Sequence, residues 1–431
     1  MPGKEQYNID EASTLTASNP IAAGTRARQQ KRLLWQSLRA YDESKDQPES
    51  VMSGPTEIWR IFMQRAIGDF QGEYLFLPQE HILFGTGSIN RLADEVRHVG
   101  GQRVLIITGH SLATKTDVIA TITQQLGTLH AGTFVGIRQH APQSDIARAA
   151  EAAHSLAADV LVSVGGGSPI DATKAVARIL LQEQGSVIPH IAIPTTLSAA
   201  EFSHLFGVTD EERHQKMSFA DTRVAPRVVI LDARLTLPTP MQLWLSSGIR
   251  ALDHAVESLY APGVHPINDV LALEAIRKLF ANLPRSKEHP DDLTARTELQ
   301  IAAWMSFFGV NNTTLGLSHN IGRRIGASYG VPHGITSCIT LPHVMRLFAP
   351  QRAASLAQIV RTLSLPDAGT DDLKAALAAA DAVSDLISRL GLPQHLREVG
   401  INEDALPAIA RDIAGQGLEI TEAEELLQRM L

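Results

Sequence analysis

Three histidines, His254, His319 and His333, and a run of glycines at 165–167 are the parts of this chain best suited to chemistry. His254 lies in Gly248-Ile-Arg-Ala-Leu-Asp-His-Ala-Val-Glu257, beside the apolar positions Leu252, Ala255 and Val256. His319 lies in Gly316-Leu-Ser-His-Asn-Ile-Gly322, and His333 in Tyr329-Gly-Val-Pro-His-Gly334. Three imidazoles converging from separate helices could hold a divalent metal that polarises a carbonyl. Each could as well be an ordinary hydrogen-bonded histidine, and the residues alone leave both readings open.

The glycines close a different pattern. Ala158-Asp-Val-Leu-Val-Ser-Val164 is a short apolar run of strand character, followed by Gly165, Gly166 and Gly167. Ser168 is then placed as an N-cap and Pro169 as the first helical residue, where its missing N–H is not needed. The helix is expected to run through Asp171, Lys174 and Ala175 to about Leu181. Strand, glycine turn and helix N-terminus together cradle a pyrophosphate, because unpaired backbone N–H groups and the helix dipole face the anion. The stretch is neither G-x-G-x-x-G nor a Walker loop, and a glycine run can also be only a tight turn.

The whole chain bounds these possibilities. Its 431 residues, 44% hydrophobic and 19% charged, are enough for two domains and an added segment. The net charge of −8 and a single short basic run, Arg26-Ala-Arg-Gln-Gln-Lys-Arg32, argue against nucleic acid as a partner. Cys338 is the only cysteine, which excludes an internal disulfide and a cysteine metal cluster. Cys338 is read as a small buried residue rather than a nucleophile. There is no apolar run of about 18 residues and no signal-peptide core, so a cytoplasmic protein with no membrane partner is expected.

Residues 1–75 read as a partly helical N-terminal extension, with helices possible at 25–41 and 56–67. From His81 onward, short apolar strands alternate with helices. The strand candidates are 81–84, 103–108, 131–136, 158–164, 190–196 and 227–232. This alternation predicts βαβ units around an open parallel sheet over residues 76–237, with ligands beyond the carboxyl ends of the strands. There the glycine turn and Thr195-Thr196 should meet. Short strands are possible between Glu201 and Ser218. From Pro240 the apolar spacing becomes three or four, as in Leu377, Ala380, Val383, Leu386 and Ile387, which predicts an all-helical domain over 238–431. Helices are expected at 241–260, 266–282, 291–305, 313–326, 334–348, 352–364, 371–389, 404–414 and 420–431. Thr421 and Glu424 are spaced as a capping box.

Several of these stretches, in order, resemble the iron-containing alcohol dehydrogenase family, which includes maleylacetate reductases. They are Gly165-Gly-Gly-Ser-Pro-Ile-Asp-Ala-Thr-Lys-Ala175, Ile193-Pro-Thr-Thr-Leu-Ser198, Gly248 to Glu257, and Gly316 through Pro332-His-Gly334 to Leu341-Pro-His343. The resemblance spans about residues 78–431. It implies a Rossmann-like α/β dinucleotide domain followed by a helical catalytic domain, an architecture like that of dehydroquinate synthase, and reversible hydride transfer between NAD or NADP and an alcohol or carbonyl. The pyrophosphate would rest on Gly165, Gly166, Gly167 and Ser168, with Gly87 and Ser88 nearby. Asp171, Thr195 and Thr196 would line the dinucleotide site and Lys174 would support it. Gly109 stands where NAD-specific members often carry an Asp, which leaves NADP tolerable.

The departures are as telling. Metal-dependent members use an Asp and a His four apart, then two further histidines fourteen apart. Here the histidine positions match His254, His319 and His333, but Arg250 takes the Asp position. A guanidinium does not ligate a cation and repels one. Asp253 points about 100 degrees from His254 on a helix and is a poor replacement. Arg323 stands where many members have another active-site histidine. Two arginines facing the pocket suggest an anionic substrate, as in the maleylacetate reductases, which are described as metal-free. Ala199 and Ala200, where glycine and serine are usual, stiffen the loop Ser198–Glu201.

The expected activity is therefore NAD(P)H-dependent reduction of a carboxylate-bearing ketone or enone without metal. His254 or His333 would act as proton donor, His319 would lie beside them, and Arg250 and Arg323 would clamp carboxylate or steady the oxyanion. Both arginines could instead only brace helices through Glu257 or Asp253. Two alternatives remain at this level. One is an iron- or zinc-dependent alcohol dehydrogenase on His254, His319 and His333. The other is a lyase or hydratase on the same fold. A homodimer is the default assembly.

Overall fold

The computed structural model describes residues 73–431, except 214, 262–265, 314–315 and 415–417. The expected helices at 25–41 and 56–67 lie outside the described residues.

Six strands form one parallel sheet: β1 (His81–Phe84), β2 (Val104–Thr108), β3 (His130–Val135), β4 (Val160–Gly165), β5 (His190–Pro194) and β8 (Val228–Leu231). Their order across the sheet is β1-β8-β5-β4-β2-β3. Strands β2, β4, β5 and β8 are buried along their whole length, which is why they read as continuous apolar runs rather than alternating ones. Five helices accompany the sheet: α1 (Leu92–His98), α2 (His110–Lys115), α3 (Val118–Leu126), α4 (Gln143–Ser155) and α5 (Gly167–Gln184). Between β5 and β8 the chain forms an antiparallel hairpin, β6 (Leu205–Asp210) and β7 (Gln215–Ala220).

After Thr236 the described residues are helical: α6 (Met241–Tyr260), α7 (Pro266–Glu288), α8 (Leu293–Asn312), α9 (Leu317–Tyr329), α10 (His333–Thr362), α11 (Asp372–Leu390), α12 (Leu406–Ile413) and α13 (Ile420–Met430). A parallel-sheet region is thus followed by a helical one. The central helix α6 is buried on nearly every side from Trp244 to Tyr260, so its polar residues must find partners inside the protein.

Local details differ from the sequence expectations for definable reasons. Helix α5 begins at Gly167 with Gly166 as N-cap, not at Pro169 with Ser168 as cap. The Ser168 hydroxyl is taken instead by the backbone N–H of His140, 3.0 Å away. The expected helices 334–348 and 352–364 are one element, α10, bent at Arg352 just beyond Pro350, whose ring cannot continue the helix hydrogen bonds. The capping box at α13 is formed by Glu419 and Glu422 rather than Thr421 and Glu424.

Helices α6 and α10 come close where Gly334 faces the backbone of α6. A Cβ on Gly334 would lie 2.6 Å from the carbonyl carbon and oxygen of Ser246. Backbone cannot swing aside as a side chain can. Gly334→Ala is therefore expected to destabilise the protein by about 1–3 kcal/mol, seen as a lowered thermal midpoint. An unchanged midpoint would show that the two helices slide freely.

Candidate active site

The carboxyl ends of the parallel strands gather the expected dinucleotide residues. Gly165 has φ of 137°, a conformation that suits glycine, and its carbonyl accepts the Thr195 N–H at 2.9 Å. A Cβ on Gly166 would meet Thr196 Cγ2 at 3.0 Å, and one on Gly167 would meet Ser198 Oγ at 3.5 Å. The bare turn therefore faces two hydroxyls, Thr196 Oγ1 and Ser198 Oγ, both buried and without a hydrogen-bond partner. Buried hydroxyls are rarely left unpaired, and here they lie beside the exposed N–H groups of a helix N-terminus. The donor set fits a dinucleotide pyrophosphate.

Other residues expected at this site do different work. Lys174 is fully buried, and its ammonium donates to the carbonyls of Ala200 (2.6 Å) and Leu205 (2.9 Å). Burial pulls its pKa down to about 8, partly offset by Asp171 and Glu201, while burial pushes Glu201 up to about 7. Lys174 thus fixes the loop 198–205. Asp171 accepts the Gly207 N–H at 3.1 Å, tying α5 to the hairpin. The N–H of Gly87 is likewise committed, to Asp232 at 2.9 Å, whereas Ser88 Oγ is buried and unpartnered. Gly87 and Ser88 follow β1 and the glycine turn follows β4, with β8 and β5 between those strands in the sheet. Gly109 ends β2, where a Cβ would press on the Ile137 carbonyl at 3.3 Å.

The second half of the site is built on α6, α9 and α10. His254 and His319 pack in a tilted pair with ring centroids 4.7 Å apart, and Phe307 packs edge-on to His254 at 4.8 Å. His319 Nδ1 pairs with Glu257 Oε2 at 2.7 Å. Glu257 also accepts the backbone N–H groups of Gly316 and Ser318 at 3.0 and 2.8 Å, across the N-terminus of α9. Asp253 Oδ2 accepts the hydroxyls of Ser337 (2.6 Å) and Ser318 (3.1 Å), and the Arg250 guanidinium lies 3.4 Å from the same oxygen. Arg250 also donates to Ser337 Oγ at 3.0 Å.

Asp253 therefore sits at the centre of the cluster. The expectation from the helical wheel, which set it aside because it points away from His254, overlooked that the i−3 and i+4 neighbours Arg250 and Glu257 share its face. The acidic and imidazole atoms that converge, within 4.8 Å of one another, belong to Asp253, Glu257 and His319. Among the described residues no such group contains His254, His319 and His333 together. His333 is drawn elsewhere: its Nε2 lies 2.9 Å from the Lys216 ammonium, and its ring meets His140 edge-on at 5.6 Å.

Electrostatics set the protonation of these groups. Burial, reinforced by neighbouring positive charge, lowers His254 and His333 well below the ordinary histidine value and His319 to about 3. Arg250 contributes to all three shifts, and Lys216 to that of His333. At neutral pH the three rings are neutral, so none serves as a ready imidazolium acid, in contrast to the sequence expectation. Burial raises Glu257 to about 7 and also raises Asp253. Arg323 donates to Ser218 on the hairpin, which brings α9 against β7. Arg250 makes the ion pair with Asp253 that the bracing reading expects and also ties α6 to α10 through Ser337, whereas Arg323 meets a hydroxyl, Ser218, in place of Glu257 or Asp253. Cys338 is buried, donates to the Gly334 carbonyl, and has its thiol pKa pushed up by burial, as befits a packing residue.

Lys216 and His140 were missed in the sequence. Lys216 stands in Gln215-Lys-Met-Ser-Phe-Ala220, a polar stretch with no motif, and only its alternation with Met217 hinted at an inward face. His140 has φ of 65° and left no local signal beyond the following Ala-Pro.

Comparison with known proteins agrees with this geometry. The model of the iron-containing alcohol dehydrogenase family matches residues 78–233, and that of its C-terminal domain matches residues 244–427. A maleylacetate reductase of Pseudomonas sp. (strain P51) is 32% identical over 322 residues, covering 75% of this chain and 85% of the relative. The lactaldehyde reductase of Escherichia coli (strain K12) is 31% identical over 345 residues, covering 76% and 90%. The crystal structure of maleylacetate reductase from Agrobacterium tumefaciens superposes with a TM-score of 0.72 at 29% identity, covering 84% of this chain and 99% of that one. Enzymes of this family use NAD(P) and often Fe2+. The lyase or hydratase alternative gives way to these relationships. No helix among the described residues is long and apolar enough to cross a membrane. With its glycine turn, its buried histidines and both halves matched in order, the chain belongs to the iron-containing alcohol dehydrogenase family and is an NAD(P)H-dependent oxidoreductase of C=O or CH–OH groups on a small molecule.

Proposed function

We propose that this enzyme reduces a ketone or enone carrying carboxylate groups, a maleylacetate-like compound, and does so without a metal. The observation that carries the proposal is the position of Arg250, whose guanidinium sits on Asp253 and whose charge bears on all three imidazoles. A divalent cation would have to enter against that fixed charge. Asp253 Oδ2 and both Glu257 oxygens are taken by serine hydroxyls, backbone N–H groups and His319, while Asp253 Oδ1, His254 Nδ1, His319 Nε2 and His333 Nδ1 are buried without a partner. The charge of Arg250, rather than any lack of ligand atoms, is what argues against a metal ion.

Bound NAD(P)H supplies the hydride for the carbonyl carbon. Arg250 and Arg323 orient carboxylate and steady the charge that develops on oxygen. His254 and His333 offer neutral N–H donors to that oxygen, since a neutral imidazole can polarise a carbonyl as an electrophile. At His333 the Lys216 ammonium can only donate, which leaves Nε2 as acceptor and the ring proton on Nδ1. Proton transfer to the alkoxide from His333 breaks its Nδ1–H bond, and the ring takes a proton at Nε2 from the Lys216 ammonium, which regains one from water.

The test is metal content and kinetics on the same sample, as purified and after exhaustive chelation. The expected result is no stoichiometric metal, turnover that survives chelation, and kcat/KM for a keto-dicarboxylate about 100-fold above that for an uncharged ketone of similar size. The convergence of Asp253, Glu257 and His319 favours a second reading, a metal-dependent alcohol dehydrogenase. Stoichiometric iron or zinc, with activity lost on chelation, would establish it and sink the metal-free proposal.

A further inference from the structure

We infer that Lys174 is a positioning residue for the dinucleotide: it holds a strained alanine loop over the glycine turn and so sets where the Ser198 hydroxyl stands. The strain is local and identifiable. Ala199 is fully buried with φ of 59° and ψ of 15°, the left-handed region that a residue with a Cβ enters only at a cost. Such a conformation persists only where its surroundings fix it. Here three consecutive carbonyls beyond Ala199 are each met by a side chain from a different part of the chain. Ala200 accepts from the Lys174 ammonium of α5 at 2.6 Å, Glu201 from the Gln79 amide ahead of β1 at 3.1 Å, and Phe202 from the Asn311 amide of α8 at 2.8 Å. Lys174 reaches on to the Leu205 carbonyl at 2.9 Å, so it alone spans the loop.

Charge suits Lys174 to this task as well as reach. Its ammonium meets two carbonyls, with Asp171 at 3.8 Å and the buried Glu201 acting on it electrostatically. Surroundings of one sign are what allow a cation to stay charged away from water. The consequence is felt at the turn. A Cβ on Gly167 would meet Ser198 Oγ at 3.5 Å and the Ala200 Cβ at 3.8 Å, so the residues on either side of Ala199 rest on the first turn of α5. Ser198 Oγ is buried there without a partner, and the Leu197 N–H is pinned to Ser247 Oγ at 3.0 Å. With Leu197 fixed on one side and Ala200 on the other, the dihedrals of Ala199 decide where the Ser198 hydroxyl points. Release of the Ala200 carbonyl lets Ala199 relax, and only molecules with the loop in place then bind nucleotide at full affinity. None of this depends on which carbonyl compound is reduced.

NADH titration by fluorescence tests this in wild type, Lys174→Met, Ala199→Gly and the double variant. Lys174→Met is expected to raise the NADH Kd about 10- to 30-fold. Glycine takes the observed φ without strain, so adding Ala199→Gly to Lys174→Met should recover about fivefold of that loss. The same change in wild type, where the loop is already held, has no such gain to make. Should Lys174→Met fail to fold, Asn311→Leu removes the Phe202 anchor of the same loop and is expected to raise Kd about 3- to 5-fold, again recovered by Ala199→Gly. An NADH Kd within about twofold of wild type in Lys174→Met, or in Asn311→Leu if only that variant folds, overturns the inference. So does a raised Kd that Ala199→Gly leaves untouched, which would make the lysine a direct ligand of the nucleotide or a packing residue.

Discussion

Replacing Arg250 by aspartate is expected to lower kcat/KM for a keto-dicarboxylate by roughly 10²- to 10³-fold and to create affinity for a divalent cation. The first effect has two parts. A charged donor is lost, and the new carboxylate repels the substrate it replaces. The second follows from the same change of sign. Arg250 depresses the pKa of His254, His319 and His333, so its removal relieves a positive field at three imidazoles. The aspartate would stand one turn before His254 on the same face of α6, with Asp253 and Glu257 already behind it. Zinc titration by calorimetry, with metal analysis of the purified variant, measures the gain. A variant that still turns over the dicarboxylate at the wild-type rate would mean that Arg250 only braces α6 against α10. Arg250→Met separates the parts, since it loses the donor without gaining a ligand.

Gly165→Ala is expected to weaken NADH binding by about 10-fold or more and to cost about 1–3 kcal/mol of stability. The position has φ of 137°, which a residue with a Cβ adopts only under strain. The added carbon would also lie 3.0 Å from Cγ of Pro169, a ring that cannot rotate away. Relief requires the turn to shift. Because the Gly165 carbonyl accepts the Thr195 N–H, that shift carries Thr195 and Thr196 with it, and Thr196 Oγ1 is one of the two free hydroxyls facing the turn. Fluorescence titration with NADH and a thermal midpoint on the same sample measure both effects. Weakened binding at an unchanged midpoint would place the loss in the turn alone. Binding within about twofold of wild type would show that the glycine turn is not the cofactor cradle.

Strands and helices were legible because their causes are local. The runs at 104–108 and 160–165 are mostly apolar and buried throughout, and α11 shows its buried stripe in Ala380, Val383, Leu386 and Ile387. The glycine turn was legible for the same reason, since a missing Cβ acts on its immediate neighbours. Errors at Ser168 and at Thr421 had one origin. A hydroxyl at the right spacing looks like a cap, yet a distant donor, His140 N–H, or a nearby competitor, Glu419, can take the role.

The sequence by itself therefore determined the parallel sheet, the helical half, the glycine turn and the anomaly of an arginine in the histidine cluster. Tertiary structure alone decided which polar groups meet. Lys216 and His333 are 117 residues apart, and Glu257 and His319 are 62 apart. The physical reason is that a buried charge or hydrogen-bonding group takes whichever partner packing brings within about 3 Å. Packing depends on the whole fold, so no local pattern shows that Lys174 would serve carbonyls, that Asp253 would sit at the centre, or that Lys216 would face a histidine.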